Sequence, residues 1–419
     1  MARRRAPGAW TIAAWSGINN VEAPDHPVFQ GGAGRDGSVP AAVVAASDVD
    51  LDNAGRFKRR QSVRSRLVLA NPLGVWSVSG LLLAQDGVTL GRVTDLEGSP
   101  ALSPLIALNA PTRVVVHQHA NKILVAQGAT RWRMTSAAAV LPWSMSVPGA
   151  PTLTPVAGTA LPAGTYLCGV QVLDAHGVES ALSPLAAITL DGTTALRVGL
   201  TGAVDAAATM VQVFLTRADG SRPLLSTAAT VASFPVILTK EPAIDVAPPE
   251  PELLPPPDGI TLMGSWAGFL LAAVGRYLWI SDGARVALFN NKVFTLPSPI
   301  LSIAGLSNGV WVTTEKGPCW LSCADNVLAW QINDPIPMPM AAGGAVVHTT
   351  QIRGLVGDAP PVEVALFVCE DGILVGWGDG SVTLPTRSSY RFPDCVGKTA
   401  RFALHENAYR FHQLFVALV

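Results

Sequence analysis

Charged side chains are scarce in this sequence of 419 residues. Asp, Glu, Lys and Arg together make up 14% of it, whereas about 25% is usual for a globular protein. The formal net charge of −1 argues against a protein that attracts nucleic acid through its overall charge. So few charges on a long, largely apolar chain favour extensive interfaces between subunits.

The sequence also lacks a hydrophobic run long enough to span a membrane. The uncharged stretch between Asp258 and Arg276 is interrupted by four glycines, and it falls short of the roughly 18–20 apolar residues that a spanning helix needs. Residues 1–15 combine three arginines with a short apolar segment, but no small-residue cleavage pattern follows them. We therefore predict neither a membrane span nor a signal peptide.

Cysteine is rare, and its number is odd. The spacing of the five cysteines forms no disulfide framework. A zinc site would need two cysteine pairs, and the sequence offers only one. We predict reduced, buried thiols, as expected for synthesis in a cytosol. The five are Cys168, Cys319, Cys323, Cys369 and Cys395.

Motifs that carry catalysis are absent as well. The sequence has no nucleophile elbow, zinc-protease helix, P-loop or dinucleotide-binding fingerprint. We therefore predict that the protein is not an enzyme and has no cofactor. His117 and His119 would face the same side of a strand and are a possible metal pair, but no third ligand has a suitable spacing. A polar strand face is the preferred interpretation.

Three carboxylates alternate in the segment Asp48–Asp52 and suggest a calcium loop as a second metal alternative. The EF-hand pattern, however, requires Gly and Glu where this chain has Asn53 and Arg59. We prefer a strand with acidic residues, a turn at Asn53–Gly55, and a basic strand that leaves the turn.

What the sequence does contain is a repeated hairpin pattern. Each copy has a short apolar strand, a turn that usually includes Gly, and a second strand rich in branched or aromatic residues. The first two copies start 41 residues apart, as do the third and fourth, and propeller blades repeat about every 40–50 residues. We predict five blades, or six if the terminal segments pair. The copies are Gly80–Val93, Asn121–Met134, Gly268–Ser281, Gly309–Ser322 and Gly372–Leu384.

The long gap between the second and third copies predicts an inserted domain at 148–248. About seven short strands fit in it, and the strand Gly164–Asp174 places Tyr166, Cys168, Val170 and Val172 on one face. The phrases G-T-Y-L, E-S-x-L-S-P and V-Q-V-F-L-T-R resemble a fibronectin type III domain. The predicted fold is therefore an all-β propeller of five to six blades with an inserted fibronectin type III-like β-sandwich. Its parts are an N-terminal arm with the first propeller strands (1–62), the propeller (63–147 and 249–419) and the sandwich.

A proline-rich segment at Asp334–Met340 interrupts the second half of the propeller. Proline lacks the N–H donor of a strand ladder, so this segment does not fit a central strand. We predict a protruding loop in which Pro335, Pro337 and Pro339 contact a neighbouring subunit.

Two phrases near the N-terminus carry a family resemblance. Gly17-Ile18-Asn19-Asn20-Val21, with Pro24 close behind, precedes Asp48-Val49-Asp50-Leu51-Asp52-Asn53-Ala54-Gly55-Arg56-Phe57-Lys58-Arg59-Arg60. Together they resemble the opening of the tail hub or nozzle proteins of short-tailed bacteriophages. The chain departs from that pattern at Ala23, at Ser47 and at Gln61-Ser62. The motifs cover about 60 residues of the chain.

The resemblance implies a structural virion protein that forms a ring, expected to be a hexamer, in the phage tail. Such a ring is a conduit for ejection of double-stranded DNA and a docking platform for portal or adaptor proteins and for tail fibre or tailspike proteins. The subunit would be made in the cytoplasm of the bacterial host. An alternative function is a receptor- or glycan-binding propeller, either a tail receptor-binding protein or a lectin.

Candidate interface residues follow from the same reading. Apolar and amide side chains of the N-terminal arm would dock on a neighbour, and the basic strand would contact acidic residues of another subunit or DNA. These candidates are Trp10, Trp15, Ile18, Asn19, Asn20, Val21, Lys58, Arg59 and Arg60, together with the three prolines above.

Overall fold

The computed structural model is nearly all-β, as predicted. Strands assemble into several four-stranded antiparallel sheets, and helical structure is limited to single turns. In these residues no helix is long and apolar enough to cross a membrane. The residues described are 15–18, 41–43, 49–51, 57–59, 67–95, 99–135, 138–243, 245–248, 253–283, 285–323, 329–388, 390–406 and 412–418.

The chain divides into two compact units. We call Leu67–Thr295 the central unit, and Met1–Arg66 together with Leu296–Val419 the N/C unit. Residues 148–248 belong to the central unit together with the sheets that flank them in sequence.

Four short strands precede the central unit. The first two pair in parallel and the next two pair antiparallel, which confirms the predicted pair of strands around a turn, although the turn residues Asn53–Gly55 lie outside the described residues. The strands are β1 (Trp15–Ile18), β2 (Ala41–Val43), β3 (Val49–Leu51) and β4 (Phe57–Arg59).

The central unit begins with two four-stranded antiparallel sheets, each built from consecutive strands. The first contains β5 (Pro72–Val78), β6 (Leu81–Asp86), β7 (Thr89–Thr94) and β8 (Ala101–Ala107). The second contains β9 (Val115–His119), β10 (Lys122–Gln127), β11 (Thr130–Met134) and β12 (Val140–Pro142).

Seven further strands follow, as predicted for the insertion. They form a three-stranded sheet in the order β13-β16-β19 and a four-stranded sheet in the order β15-β14-β17-β18. Tyr166, Cys168, Val170 and Val172 are fully buried, which confirms the predicted inner face. The strands are β13 (Thr152–Val156), β14 (Gly164–Asp174), β15 (Ala186–Leu190), β16 (Ala195–Gly199), β17 (Ala208–Leu215), β18 (Leu224–Thr230) and β19 (Val236–Leu238), with a 3-10 turn at Val231–Ser233.

One more four-stranded antiparallel sheet of consecutive strands completes the central unit. It contains β20 (Leu262–Trp266), β21 (Phe269–Val274), β22 (Tyr277–Asp282) and β23 (Arg285–Thr295).

The C-terminal part of the N/C unit has two four-stranded sheets and a final hairpin. The first sheet contains β24 (Ile300–Leu306), β25 (Gly309–Thr314), β26 (Gly317–Ser322) and β27 (Gln331–Ile332). The second contains β28 (Ala345–His348), β29 (Glu363–Cys369), β30 (Gly372–Gly376) and β31 (Val382–Thr383), with a 3-10 turn at Thr349–Gln351 and α1 (Arg353–Val356) between its first two strands. The hairpin is β32 (Ala400–Glu406) and β33 (His412–Leu418).

All five predicted hairpins are present. The first four are the middle pair of a four-stranded sheet, but the fifth, β30–β31, lies at the edge of its sheet, where β29 and β30 are the middle pair. The fifth predicted hairpin therefore lies one strand later in its sheet than the other four hairpins do in theirs. Within the described part of the chain β32 and β33 pair only with each other, so the predicted pairing of the two terminal segments is not observed there.

Glycine placement explains why these hairpins form where they do. Three of them have two-residue turns whose first residue is a glycine with positive φ: Gly87 (φ 55), Gly128 (φ 58) and Gly275 (φ 58). Turns that match the twist of paired strands need this backbone region, which other residues rarely adopt.

The core of the central unit is continuous across the seven inserted strands and the flanking sheets. Leu124 of β10, Trp143 and Phe289 of β23 belong to the same buried cluster as Tyr166, Val172 and the other inner residues of the insertion. The inserted strands thus share a buried cluster with the sheets that flank them in sequence.

Candidate functional site

The structure places only some of the predicted interface residues. Trp15 and Ile18 lie on β1, opposite Ala41 and Val43 of β2. Lys58 and Arg59 lie on β4. The remaining N-terminal candidates lie outside the described residues: Trp10, Asn19, Asn20, Val21 and Arg60.

The β3–β4 pairing gives the basic strand an acidic neighbour in its own chain. Asp50 is the register partner of Lys58, and Val49 is the partner of Arg59. Residues directly opposite each other on antiparallel strands are close neighbours. Lys58 therefore has a carboxylate-bearing residue at its register position, whereas Arg59 has an apolar one.

The proline segment does not protrude, which corrects the sequence-based prediction. It continues from β27 along β26 as an irregular edge. The backbone N–H groups of Asn333, Ile336 and Met338 donate to the carbonyl oxygens of Trp320, Pro318 and Lys316, over 2.9, 2.9 and 3.4 Å. Prolines are tolerated here because they occupy the alternate positions, which do not donate to β26.

This arrangement affects how the sheet edge can associate. Pro337 and Pro339 are exposed, and neither has an N–H to offer to a further strand. An edge without donors resists strand addition. Any contact made by Pro335, Pro337 and Pro339 would therefore use side-chain packing.

A His–Ser–His network joins the β9–β12 sheet to the β20–β23 sheet of the central unit. Ser265 Oγ on β20 lies 2.6 Å from Nε2 of His117 and 2.8 Å from Nδ1 of His119, both on β9. The two histidines therefore face the same side, as predicted. In the described ranges no third His, Cys, Asp or Glu joins them in a metal-binding group.

The network suits neutral imidazoles. One serine hydroxyl can donate to one ring and accept from the other, so one nitrogen of each ring is hydrogen-bonded without a charge. Burial, with a contribution from His119, lowers the pKa of His117 from 6.5 to about 4. Burial also lowers the pKa of His119, although a hydrogen bond with the Gly268 backbone acts in the opposite direction.

A second polar cluster connects the inserted strands to the sheet of β9–β12. Arg133 on β11 and Asp174 at the end of β14 form a buried ion pair. Arg133 Nε also donates to the carbonyl oxygen of Pro142 over 3.0 Å. Asp174 Oδ1 accepts from the backbone N–H groups of His176 and Val178 over 2.8 and 2.9 Å. The carboxylate thus orders the turn after β14 and attaches it to β11.

A cavity of about 220 Å³ lies beside this ion pair. Lys122, Arg133 and Arg285 line it, with Glu179 and the apolar wall of Trp143 and Val286. Arg285 pairs with Glu179 at 3.5 Å. Burial and the charge of Arg133 lower the pKa of Lys122, while Asp174 opposes them. The cavity is smaller than the roughly 300–1,000 Å³ that is usual for ligand sites, so we interpret the cluster as a fixed joint.

Sequence analysis identified the two histidines but not Ser265, and it missed the ion pair. The hairpin pattern located β10 and β11. Nothing in the spacing indicated that residues 41 positions apart would meet, because their contact depends on how the insertion packs.

Comparisons with known proteins add little to this picture. No protein-family model and no curated protein matches the chain. Among solved structures it has a partial likeness to BBS1N in complex with ARL6DN (12% identity, TM-score 0.28), covering 84% of this chain and 94% of that chain. It has a partial likeness to AztD from Citrobacter koseri (12% identity, TM-score 0.26), covering 74% of this chain and 84% of that chain. It has another to Kluyveromyces lactis Hsv2 (7% identity, TM-score 0.20), covering 83% of this chain and 98% of that chain. Likeness at this level assigns neither a function nor a partner to the chain.

Proposed function

We propose that the protein is a structural subunit of a phage tail, a hub or nozzle protein whose copies form a ring that conducts DNA. The observation that carries the proposal is the pair of N-terminal phrases, Gly17–Val21 and Asp48–Arg60. The second phrase spans the β3–β4 pair, so Asp50 lies on one strand and Lys58 and Arg59 lie on the strand paired with it. The ring would reside in the virion and contact portal or adaptor proteins on one side and fibre or tailspike proteins on the other.

We further propose that the five sheets of consecutive strands are blades of a propeller, with a sixth if the terminal segments contribute. Each of these sheets has a hairpin as its middle pair of strands, and the spacing of the first four predicted hairpins also supports this arrangement. Tyr166 supports a fibronectin type III-like insertion: its hydroxyl donates to the carbonyl oxygen of Pro162 over 2.9 Å. Such a bond to the backbone a few residues upstream resembles the tyrosine corner of immunoglobulin-like sandwiches.

The physical properties of the chain suit a rigid conduit wall. The insertion shares a buried cluster with its neighbours, so a partner docked on it would be held at a fixed position. Few charged groups, 14% of the sequence, limit the phosphate contacts that would retain passing DNA. The basic residues at 58–60 are then expected to contact an adjacent subunit or adaptor.

Oligomeric state tests the proposal directly. Purified full-length protein is expected to form closed rings, visible by negative-stain microscopy and as a discrete mass by mass photometry. Reversing the charge of the basic strand (Arg59→Glu with Arg60→Glu) should prevent assembly, whereas Arg222→Glu, in an exposed ion pair, should not. A monomer at every concentration and in the presence of tail partners would contradict the ring. Normal assembly of the double variant with impaired DNA delivery would instead place the basic strand at the channel.

A further inference from the structure

The outer face of the β13-β16-β19 sheet bears a groove of about 460 Å³. It is formed entirely by the inserted strands and their loops. The residues that matter for its chemistry are Thr152, Thr154, Arg197, Gly199, Phe234 and Pro235. This volume falls within the range of about 300–1,000 Å³ that small-molecule sites occupy.

Strand register explains why these side chains converge. Thr154 of β13 is the register partner of Arg197 on β16, and Thr152 is the partner of Gly199. Alternate residues of a strand point to the same face, so the two threonines and the arginine share the outer face. All three are exposed, whereas Leu196 and Val198, which alternate with Arg197, are fully buried in the core.

The polar groups of the groove have no partner among the described residues. The guanidinium of Arg197 has no carboxylate within ion-pair distance, and the hydroxyls of Thr152 and Thr154 make no hydrogen bond to protein. Arg222 and Arg285 differ from Arg197, since each of them faces a carboxylate. Arg197 therefore leaves a charge and several donors directed at solvent inside a concave surface.

The floor and one wall of the groove depend on Gly199 and Phe234. A Cβ atom added to Gly199 would lie 2.5 Å from Thr152 Oγ1, so the missing side chain makes room for the Thr152 hydroxyl at the floor. Phe234 is half-buried and Pro235 exposed, and they provide an apolar wall next to the polar floor.

These features identify the chemistry of a ligand. A guanidinium binds a carboxylate through two parallel hydrogen bonds, free hydroxyls both donate to and accept from sugar hydroxyls, and an aromatic ring packs against the C–H face of a pyranose. We propose that the groove binds a carboxylated saccharide, such as a uronic or sialic acid unit of an acidic glycan. This site is independent of ring formation and goes beyond the structural role proposed above.

An acidic peptide suits the groove less well. Peptides that bind sheets commonly add a strand at an edge, but the edges here are β13 and β19, so an added strand would be separated from Arg197 on β16 by one of them. The backbone groups of β16 are engaged in the sheet. Recognition has to rely on side chains at the face, which matches a compact ligand rich in hydroxyls.

The test uses full-length protein and calorimetric or NMR titration with defined probes. Trigalacturonate and 3′-sialyllactose represent the proposed class, and lactose, inorganic phosphate and a Glu-rich peptide represent the alternatives. We expect at least one carboxylated sugar to bind at least 10-fold more tightly than lactose. Arg197→Ala should weaken that binding at least 10-fold, Arg197→Lys should weaken it less, and Gly199→Val should abolish it by displacing the Thr152 hydroxyl from the floor.

Arg222→Ala is the matched control, because it removes an exposed arginine from the loop between β17 and β18 of the same insertion. The affinity of this variant for the sugar should equal that of the wild type. Unfolding curves of every variant verify the fold. The proposal is overturned if neither acidic sugar binds at about 10 mM. It is also overturned if phosphate or the peptide binds as tightly as the sugars, or if Arg197→Ala and Gly199→Val both bind normally while folded.

Discussion

The guanidinium of Arg133 and the carboxylate of Asp174 form an ion pair whose side chains are 6% and 4% exposed. Arg133 also donates to the Pro142 carbonyl, and Asp174 accepts from the backbone of its own turn. Because both ions are hydrogen-bonded further, the pair is compatible with burial. It joins β11 to the inserted strands at a fixed position.

Replacing only one partner of this ion pair should destabilise the protein. Asp174→Asn retains an acceptor for the turn but leaves the arginine charge buried and uncompensated. The free energy of unfolding, measured by urea titration, should fall by about 3–5 kcal/mol. Arg133→Met with Asp174→Leu should recover a large part of the loss, since no buried charge remains.

Arg222 and Asp245 provide the control for this experiment. They lie 3.8 Å apart and are 67% and 74% exposed. Arg222→Met should therefore change the unfolding free energy by about 0–1 kcal/mol. If Asp174→Asn is no more destabilising than Arg222→Met, the joint does not have the role that we assign to it.

Stability should decrease between pH 6.5 and 4 because of the His–Ser–His network. The folded pKa of His117 is lowered to about 4 from 6.5, so the unfolded chain binds a proton in this window that the folded chain does not. The contribution is complete above pH 6.5 and is lost as the pH falls toward 4, by at most about 3 kcal/mol.

Unfolding curves at several pH values would measure this loss. His117→Gln should reduce the slope between pH 6.5 and 4. Carboxylates whose pKa is lowered affect stability at a lower pH than His117 does. Hydrogen bonds from Thr193 hold the pKa of Asp191 below 3.8, so the effect of Asp191 on stability falls below this pH window. A slope that is identical in His117→Gln and wild type would contradict the assignment.

Trp143 tests the continuity of the core. It is 1% exposed, its indole N–H donates to the Val286 carbonyl oxygen over 2.9 Å, and its ring meets that of Phe289 edge-on at 6.5 Å. Trp143→Ala should destabilise the protein by about 3–5 kcal/mol. Trp143→Phe should cost less, mainly the hydrogen bond, in the same thermal or urea measurement.

The shared core also changes what deletion of residues 148–248 should do. A separate domain could be removed without harm, but here removal would expose Leu124, Trp143 and Phe289. We expect the deletion variant to aggregate or to melt at a lower temperature than the full chain. A soluble variant with an unchanged melting temperature would show that the flanking sheets fold on their own.

The proline edge predicts resistance to strand-mediated association. Replacing Pro337 with Thr restores an N–H donor on the exposed side of the edge and should promote concentration-dependent aggregation, measured by light scattering. Pro361→Thr, at an exposed proline that precedes β29, is the control. Equal scattering by the edge variant and this control would refute the protective role of Pro337.

Local patterns in the sequence were sufficient for the strands and their turns. Alternating apolar residues and glycines in tight turns located five hairpins and the seven inserted strands, because both depend on residues close in the chain. The same logic failed for the proline segment: the missing N–H groups were recognised, but their alternation allows an edge position that only the neighbouring β26 reveals.

The sequence by itself determined the all-β class, the hairpins and the inner face of β14, since each follows from periodicity over a few residues. The tertiary structure alone decided that Arg133 meets Asp174, that Ser265 connects two histidines, and that Thr152, Thr154 and Arg197 surround a groove. These contacts join residues that are 40 to about 150 positions apart. Their partners are selected by how sheets pack and pair, and no local spacing encodes that choice.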